Sequence, residues 1–215
     1  MKLNAEYWQE RWTNEQTGWD IGHPNHGLIA EVKSRFPKTS KILIPGAGRG
    51  HEAEALWEEG YLNTYVCDWA PEAFESLAKS EVLLRVQREV PPKAGAKTFL
   101  TPEEAKSRLI VADFFTLEGS YDLLLEQTFF CAIDPSQREQ YVEQAAHLLK
   151  PLGMWMGIFF DCHFPTEGPP FGGDKETYRR LFEKHFEITK LERFEGSIGP
   201  RLGKELLGLM HCKSM

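Results

Sequence analysis

Pro45-Gly46-Ala47-Gly48-Arg49-Gly50 directly follows the apolar run Ile42-Leu43-Ile44. A helix-like stretch, a second short apolar run and Asp68 come next. Strand, glycine turn, helix, strand and acid, in that order, describe a parallel α/β sheet with a nucleoside-binding edge. Glycine permits φ > 0 and lets backbone approach a ligand closely. A tight turn alone accounts for one glycine, and less well for three within five residues. Ligands of such sheets bind outside the carboxyl ends of the strands, where Gly46 and Gly48 would lie. Asp68, at the end of the second strand, could accept hydrogen bonds from both ribose hydroxyls. Without the turn, it would read as a solvated strand end.

The glycine spacing discriminates between cofactors. Dinucleotide binders favour GxGxxG, whose helix start meets a pyrophosphate. Here the spacing is GxGxG. S-Adenosylmethionine (SAM) has no phosphate and needs only a close, hydrogen-bonding loop, so the spacing favours SAM over a nicotinamide cofactor. Asp113, after the third predicted strand, suits an adenine amino group, and Phe114 beside it can stack on a ring. Locally, Asp113 reads equally well as a loop or capping acid. Glu126-Gln127 ends the fourth strand, where a reacting methyl group should lie.

Periodicity places the other elements. Asn4 to Trp12 reads as a capped short helix, and Leu28, Ile29, Val32 and Phe36 mark the face of a second. Glu52 to Glu59 is the crossover helix. Pro71 opens a further helix with Ala73, Phe74, Leu77 and Ala78 inward. Residues 81–106 look like an insertion holding a short helix after Thr101. Asp134 caps a long helix, and Pro151-Leu152-Gly153 turns into a strand over Met154 to Phe160. The last helix is expected over Thr177 to Phe186, before a hairpin of Ile188 to Phe194 and Leu206 to His211. The expected fold is α/β: a doubly wound, mostly parallel sheet with a C-terminal antiparallel hairpin and an N-terminal helical lid. The 215 residues suit one domain, with 1–37 as the helical cap and 38–215 as the Rossmann-like core.

Composition excludes several classes. The net charge is −7 and no Lys/Arg cluster stands out, which argues against a nucleic-acid partner. Cys67, Cys131, Cys162 and Cys212 are far apart and form no CxxC pair, so no zinc or redox motif is expected. No apolar run approaches the ~20 residues of a membrane span. The segment from Met1 to Arg11 lacks the apolar middle of a signal peptide. The expectation is a soluble, cytoplasmic protein, monomeric, acting on a small molecule.

Three further segments narrow the reading: Tyr7-Trp8-Gln9-Glu10-Arg11-Trp12 with Gly18-Trp19-Asp20, then Phe129-Phe130-Cys131-Ala132-Ile133-Asp134-Pro135, then Gly168-Pro169-Pro170-Phe171. With the glycine turn, they resemble the thiopurine S-methyltransferase family of class I SAM-dependent methyltransferases, especially its plant halide and thiol branch. The resemblance implies that Trp8, Trp12 and Trp19 contact SAM or line the acceptor side. It implies that Gly46 and Asp68 hold the methionine end and the ribose, and that Asp113 and Phe114 hold the adenine. Gln127 matches a cofactor-touching position that is arginine in the thiopurine enzymes and tyrosine in the plant branch. Trp19, Phe160 and Phe171 would line the acceptor. Indole faces attract a sulfonium cation; Trp8 and Trp12, four apart, could equally anchor a terminal helix.

The implied reaction is an in-line displacement on the sulfonium methyl by a thiol, thiopurine-like or halide/hydrosulfide acceptor. It needs no metal, and an acceptor that arrives ionised needs no base. Asp161-Cys162-His163 offers a candidate base, but reads more simply as a polar loop after a strand. Cys131 reads as a structural thiol. Methylation at oxygen or nitrogen, or SAM binding without turnover, are the alternatives; Gln127 motivates the latter.

Overall fold

The computed structural model describes residues 3–78 and 102–213. They fall into two compact units, Met1–Asp113 and Phe114–Met215.

In the first unit, α1 (Ala5–Thr13) starts where Asn4 Oδ1 accepts the Tyr7 N–H at 3.1 Å. Asn25 caps α2 (His26–Arg35) in the same way, accepting from the Gly27 and Leu28 N–H groups. A side-chain oxygen here satisfies donors that the first helical turn leaves without partners. Next come β1 (Ile42–Pro45), α3 (His51–Glu58) and β2 (Thr64–Asp68). A 3₁₀ turn over Pro71–Phe74 runs into α4 (Glu75–Ala78). Ala73, Phe74 and Leu77 are buried as expected, whereas Ala78 is exposed because the α-helical part starts only at Glu75. The expected short helix is α5 (Pro102–Ser107), and β3 (Leu109–Val111) follows it; Thr101 and most of the expected insertion lie outside the described residues. The strand order is β3-β2-β1, all parallel, with Ile44 opposite Val66 and Asp68 opposite Val111. Every β1 residue is buried, as a continuous apolar run in a parallel sheet requires.

The second unit contains β4 (Tyr121–Glu126), α6 (Arg138–Leu148), β5 (Leu149–Phe160), α7 (Lys175–Phe182), β6 (Phe186–Arg193) and β7 (Glu205–Cys212). Its order is β4-β5-β7-β6; β4 and β5 are parallel, and β7 runs antiparallel to β5 and β6. Three expectations shift. Asp134 caps a 3₁₀ turn over Pro135–Gln137, and the long helix α6 starts only after it, at Arg138, without a side-chain cap. Strand β5 begins at Leu149, but its register with β4 jumps from Tyr121–Leu149 to Leu123–Met154, with Leu152 at φ +62. The expected turn is thus a bulge within the strand. The last helix ends at Phe182, because Asp174 caps it early and Phe186 is already paired with Cys212 in the sheet.

Trp155, Phe159 and Tyr178 stack in the core of this unit, Phe182 packs tilted against Trp155, and the Trp155 indole N–H donates to Tyr141 Oη at 2.9 Å. Trp155 needs the small neighbours Gly157 and Gly208, which face each other across β5 and β7. A Cβ on Gly157 would lie 2.6 Å from Glu126 Cβ and 2.7 Å from the indole. Glu126 itself is fully buried at the end of β4. Its Oε1 accepts the Phe129 and Phe130 N–H groups at 2.7 and 2.9 Å, and its Oε2 has no hydrogen-bond partner. Burial pushes its carboxyl up to about 7, against the pull of those two N–H groups and of Arg138.

Gly157→Ala should cost about 1–3 kcal/mol of stability by overpacking, read as a lower urea midpoint at unchanged slope. Glu126→Gln keeps an acceptor for both N–H groups and removes the titration. A carboxyl raised on folding contributes its stability fully below its unfolded value and loses it as pH rises through the folded one. Between about pH 5 and about pH 8, wild type should lose up to about 3 kcal/mol relative to Glu126→Gln. Parallel denaturation curves for the two proteins at both pH values would disprove the buried titration.

Candidate functional site

The turn after β1 is a left-handed bend held by a carboxylate. Gly46, Gly48 and Gly50 all have positive φ, at 55°, 53° and 69°. That conformation costs an L side chain about 1–2 kcal/mol and glycine almost nothing. The turn closes with Gly50 N–H on the Ala47 carbonyl at 2.9 Å, and leans on β2 through Ala47 N–H to the Cys67 carbonyl at 3.2 Å. Asp68 Oδ2 accepts the Gly48 N–H and its Oδ1 the Ala70 N–H, each at 3.1 Å. Burial raises the Asp68 carboxyl above its ordinary value, opposed by the Ala70, Gly48 and Trp69 N–H groups. These backbone donors leave the carboxylate acceptor capacity for hydroxyl donors.

The tryptophan segment lies on this turn. Trp12 is buried, and a Cβ on Gly48 would sit 3.6 Å from its Cζ2. Trp19 meets both Trp12 and Trp8 edge-to-face, with centroids 5.7 and 5.5 Å apart. Trp8 and Trp19 remain half-buried. The Arg49 guanidinium lies over the Trp12 ring at 5.4 Å. The structure therefore brings Trp12, Trp19, Gly48 and Asp68 together, and Trp8 reaches the group through Trp19. Asp113 stands one residue beyond Ala112, whose N–H donates to the Asp68 carbonyl at 3.1 Å, so the ends of β2 and β3 lie side by side. Cys67 is buried, and its thiol is pushed up to about 12, first by burial and then by Asp68 and Asp113. It is an inert core thiol.

In the second unit, the Phe114 ring is buried, stacked on Tyr141 at 5.1 Å and edge-on to Phe129. Gln127 is half-buried, and its buried Oε1 has no hydrogen-bond partner. Phe160 and Phe171 are both half-buried. Phe171 is fixed on both sides: its N–H donates to the Cys131 carbonyl at 2.7 Å, and its carbonyl accepts from Arg138 Nη2 at 3.2 Å. Arg138 also holds the Gly172 carbonyl and lies 4.7 Å over Phe130. Sequence reasoning missed this buried arginine; nothing in its helical spacing marks it apart from a surface residue. The candidate base fares poorly. Asp161 is ion-paired to Arg193 at 2.7 Å and His163 is exposed. Cys131 is buried, with its thiol raised by burial and by Glu126.

The first unit fits SAM: three left-handed glycines bring backbone to the strand ends, and Asp68 keeps spare acceptor capacity beside them. Among the described residues, no group of three or more His, Cys, Asp or Glu could hold a metal ion. No described helix is long and apolar enough to cross a membrane.

The chain is similar to known proteins over most of its length. A probable thiol methyltransferase of Arabidopsis thaliana is 26% identical over 204 residues, 94% of this chain and 82% of that protein. A thiopurine S-methyltransferase of Vibrio cholerae is 26% identical over 94% of this chain and 90% of its own. Among solved structures, a Burkholderia thailandensis 1,6-didemethyltoxoflavin-N1-methyltransferase shares the fold over 99% of this chain and 88% of its own, at TM-score 0.69 and 16% identity. The sequence profile of the thiopurine S-methyltransferase family matches residues 3–213. The chain therefore belongs to the thiopurine S-methyltransferase family, a family of SAM-dependent methyltransferases.

Proposed function

We propose that this protein transfers a methyl group from SAM to a small thiol, thiopurine-like or halide/hydrosulfide acceptor. The observation that carries the SAM part is the Asp68 carboxylate, which braces the Gly48 N–H while retaining room for hydroxyl donors. When bound, SAM supplies a methyl group already activated by a positively charged sulfur. The residues then have three tasks: to hold the donor, to orient the acceptor and to exclude water.

Gly46 and Gly48 offer backbone to the methionine end, Asp68 accepts from the ribose hydroxyls, and Asp113 takes the adenine amino group, while the Phe114 ring stays buried against Tyr141 rather than stacking on the adenine. Trp8, Trp12 and Trp19 form an indole surface that keeps water from an anionic nucleophile and favours a cation nearby. Phe160 and Phe171 give the acceptor an apolar wall, and Arg138 keeps Phe171 in place through its carbonyl. A soft, poorly hydrated nucleophile suits such a wall. The raised thiols of Cys67 and Cys131 fit packing better than nucleophilic catalysis.

The Gln127 side chain supports a second reading, methylation at oxygen or nitrogen. Its buried, unpartnered Oε1 can accept from a neutral N–H or O–H nucleophile. Labelled SAM offered with a thiol, iodide, a phenol and an amine separates the two. Preferred turnover of thiol or iodide supports the first reading, and preferred turnover of amine or phenol replaces it with the second. SAM binding without turnover on any of them would leave a binding module.

Asp68→Ala should weaken SAM binding by about 1–3 kcal/mol, the scale of lost hydrogen bonds to a charged group; calorimetry on the folded protein, well below its melting temperature, reads it. The acceptor form of Asp68 is the ionised one, and burial raises its carboxyl. Acidification should therefore weaken SAM binding in wild type, with a midpoint above the ~3.9 of an ordinary aspartate. Asp68→Asn should lack that midpoint, and a wild-type affinity flat across the acid range would remove Asp68 from the ribose.

A further inference from the structure

The loop between α1 and α2 carries Trp19, and the next residue, Asp20, reaches across to the glycine turn. Asp20 Oδ2 meets Arg49 Nε at 2.6 Å, and its Oδ1 pairs with His51 Nε2 at 2.9 Å. The same Oδ1 accepts the Gly22 N–H at 2.8 Å. Arg49 belongs to the glycine turn and His51 is the first residue of α3. A single carboxylate thus links the tryptophan loop to two consecutive parts of the cofactor-binding backbone. With a carboxylate as partner, His51 Nε2 carries the proton and donates.

Three observations separate this link from an ordinary surface ion pair. The Asp20 side chain is only 16% exposed, so its partners are poorly screened. Arg49 contributes to the same cluster from another direction, lying over Trp12, which in turn meets Trp19 edge-to-face. The far end of the loop is tied to α3 a second time, through the Asn25 N–H and the buried Glu52 Oε1 at 2.9 Å. Burial alone would raise the Asp20 carboxyl, yet the Gly22 N–H, His51 and Arg49 together hold it below its ordinary value. Its ionised form is therefore the bound form.

We propose that Asp20 is a positioning residue of the cofactor site: through Arg49 and His51 it ties the Trp19 loop to the glycine turn, keeping the indole lid closed and slowing release of SAM and S-adenosylhomocysteine. This rests on the SAM reading above. Asp20 touches no reacting atom; it acts through Trp12, Trp19 and the turn. Its loss should appear in the rate at which the lid opens.

The experiment is dissociation of S-adenosylhomocysteine from the full chain, followed by stopped-flow tryptophan fluorescence in wild type and Asp20→Asn. The dissociation rate should rise about ten- to a hundredfold, the scale of losing hydrogen bonds between charged groups, while the association rate changes little. A residue of merely structural importance would lower the melting temperature and leave the dissociation rate of the folded fraction as it was. Asp20→Glu should recover part of the slow release. If Asp20→Asn fails to fold, His51→Gln and Arg49→Gln each remove one arm of the tie and read the same rate. Wild type that binds S-adenosylhomocysteine, with variants that release it at the wild-type rate, would overturn the tie and leave the SAM reading standing. Wild type that does not bind it would remove both.

Discussion

The contact between the Asp68 carboxylate and the Gly48 N–H organises the first unit's site. A strand-end acid accepts from the turn that follows the neighbouring strand, so the turn and the ends of β1 and β2 become one piece. The three glycines make that bend possible without strain, since each adopts a left-handed conformation. Trp12 lies on the turn, at ordinary van der Waals distance from where a Cβ on Gly48 would be. The same carboxylate has capacity left for a ligand, so structure and recognition draw on one group.

The second unit uses a similar device. Glu126 ends β4 and accepts two backbone N–H groups from the turn that follows. Arg138 does the converse, donating to the carbonyls of Phe171 and Gly172. Both side chains are buried and polar, and both satisfy backbone that irregular turns leave without partners. Each organises a segment carrying a side chain of proposed function: Gln127 beside Glu126, and Phe171 beside Arg138. Aromatic packing of Trp155, Phe159 and Tyr178 supplies the rigid support underneath.

Local rules carried much of the fold. β1 was readable as a continuous apolar run before a glycine turn, and α1 and α2 from their Asn caps. Tyr121 to Leu125 and the final hairpin were also close to the observed strands, because alternating or continuous apolar residues bounded by breakers leave few options. The failures have specific causes. Pro151-Leu152-Gly153 reads as a loop, but partner strand β4 holds both sides of it and turns it into a bulge. Phe186 fits a helical spacing, yet pairing with Cys212 draws it into β6. In each case a long-range backbone partner outweighed a local preference, which a linear reading does not contain.

The chain alone determined the mostly parallel α/β class, the glycine turn, the acid placed to serve it and the family signature, because these depend on residue type and spacing over short distances. Tertiary structure decided which polar groups meet. Asp20 with Arg49 and His51, Asn25 with Glu52, and Arg138 with the Phe171 carbonyl are all remote in sequence or join a side chain to a distant backbone atom. Hydrogen bonds are short and directional, so such pairs exist only once packing has set atoms within about 3 Å of one another. No spacing rule encodes that distance.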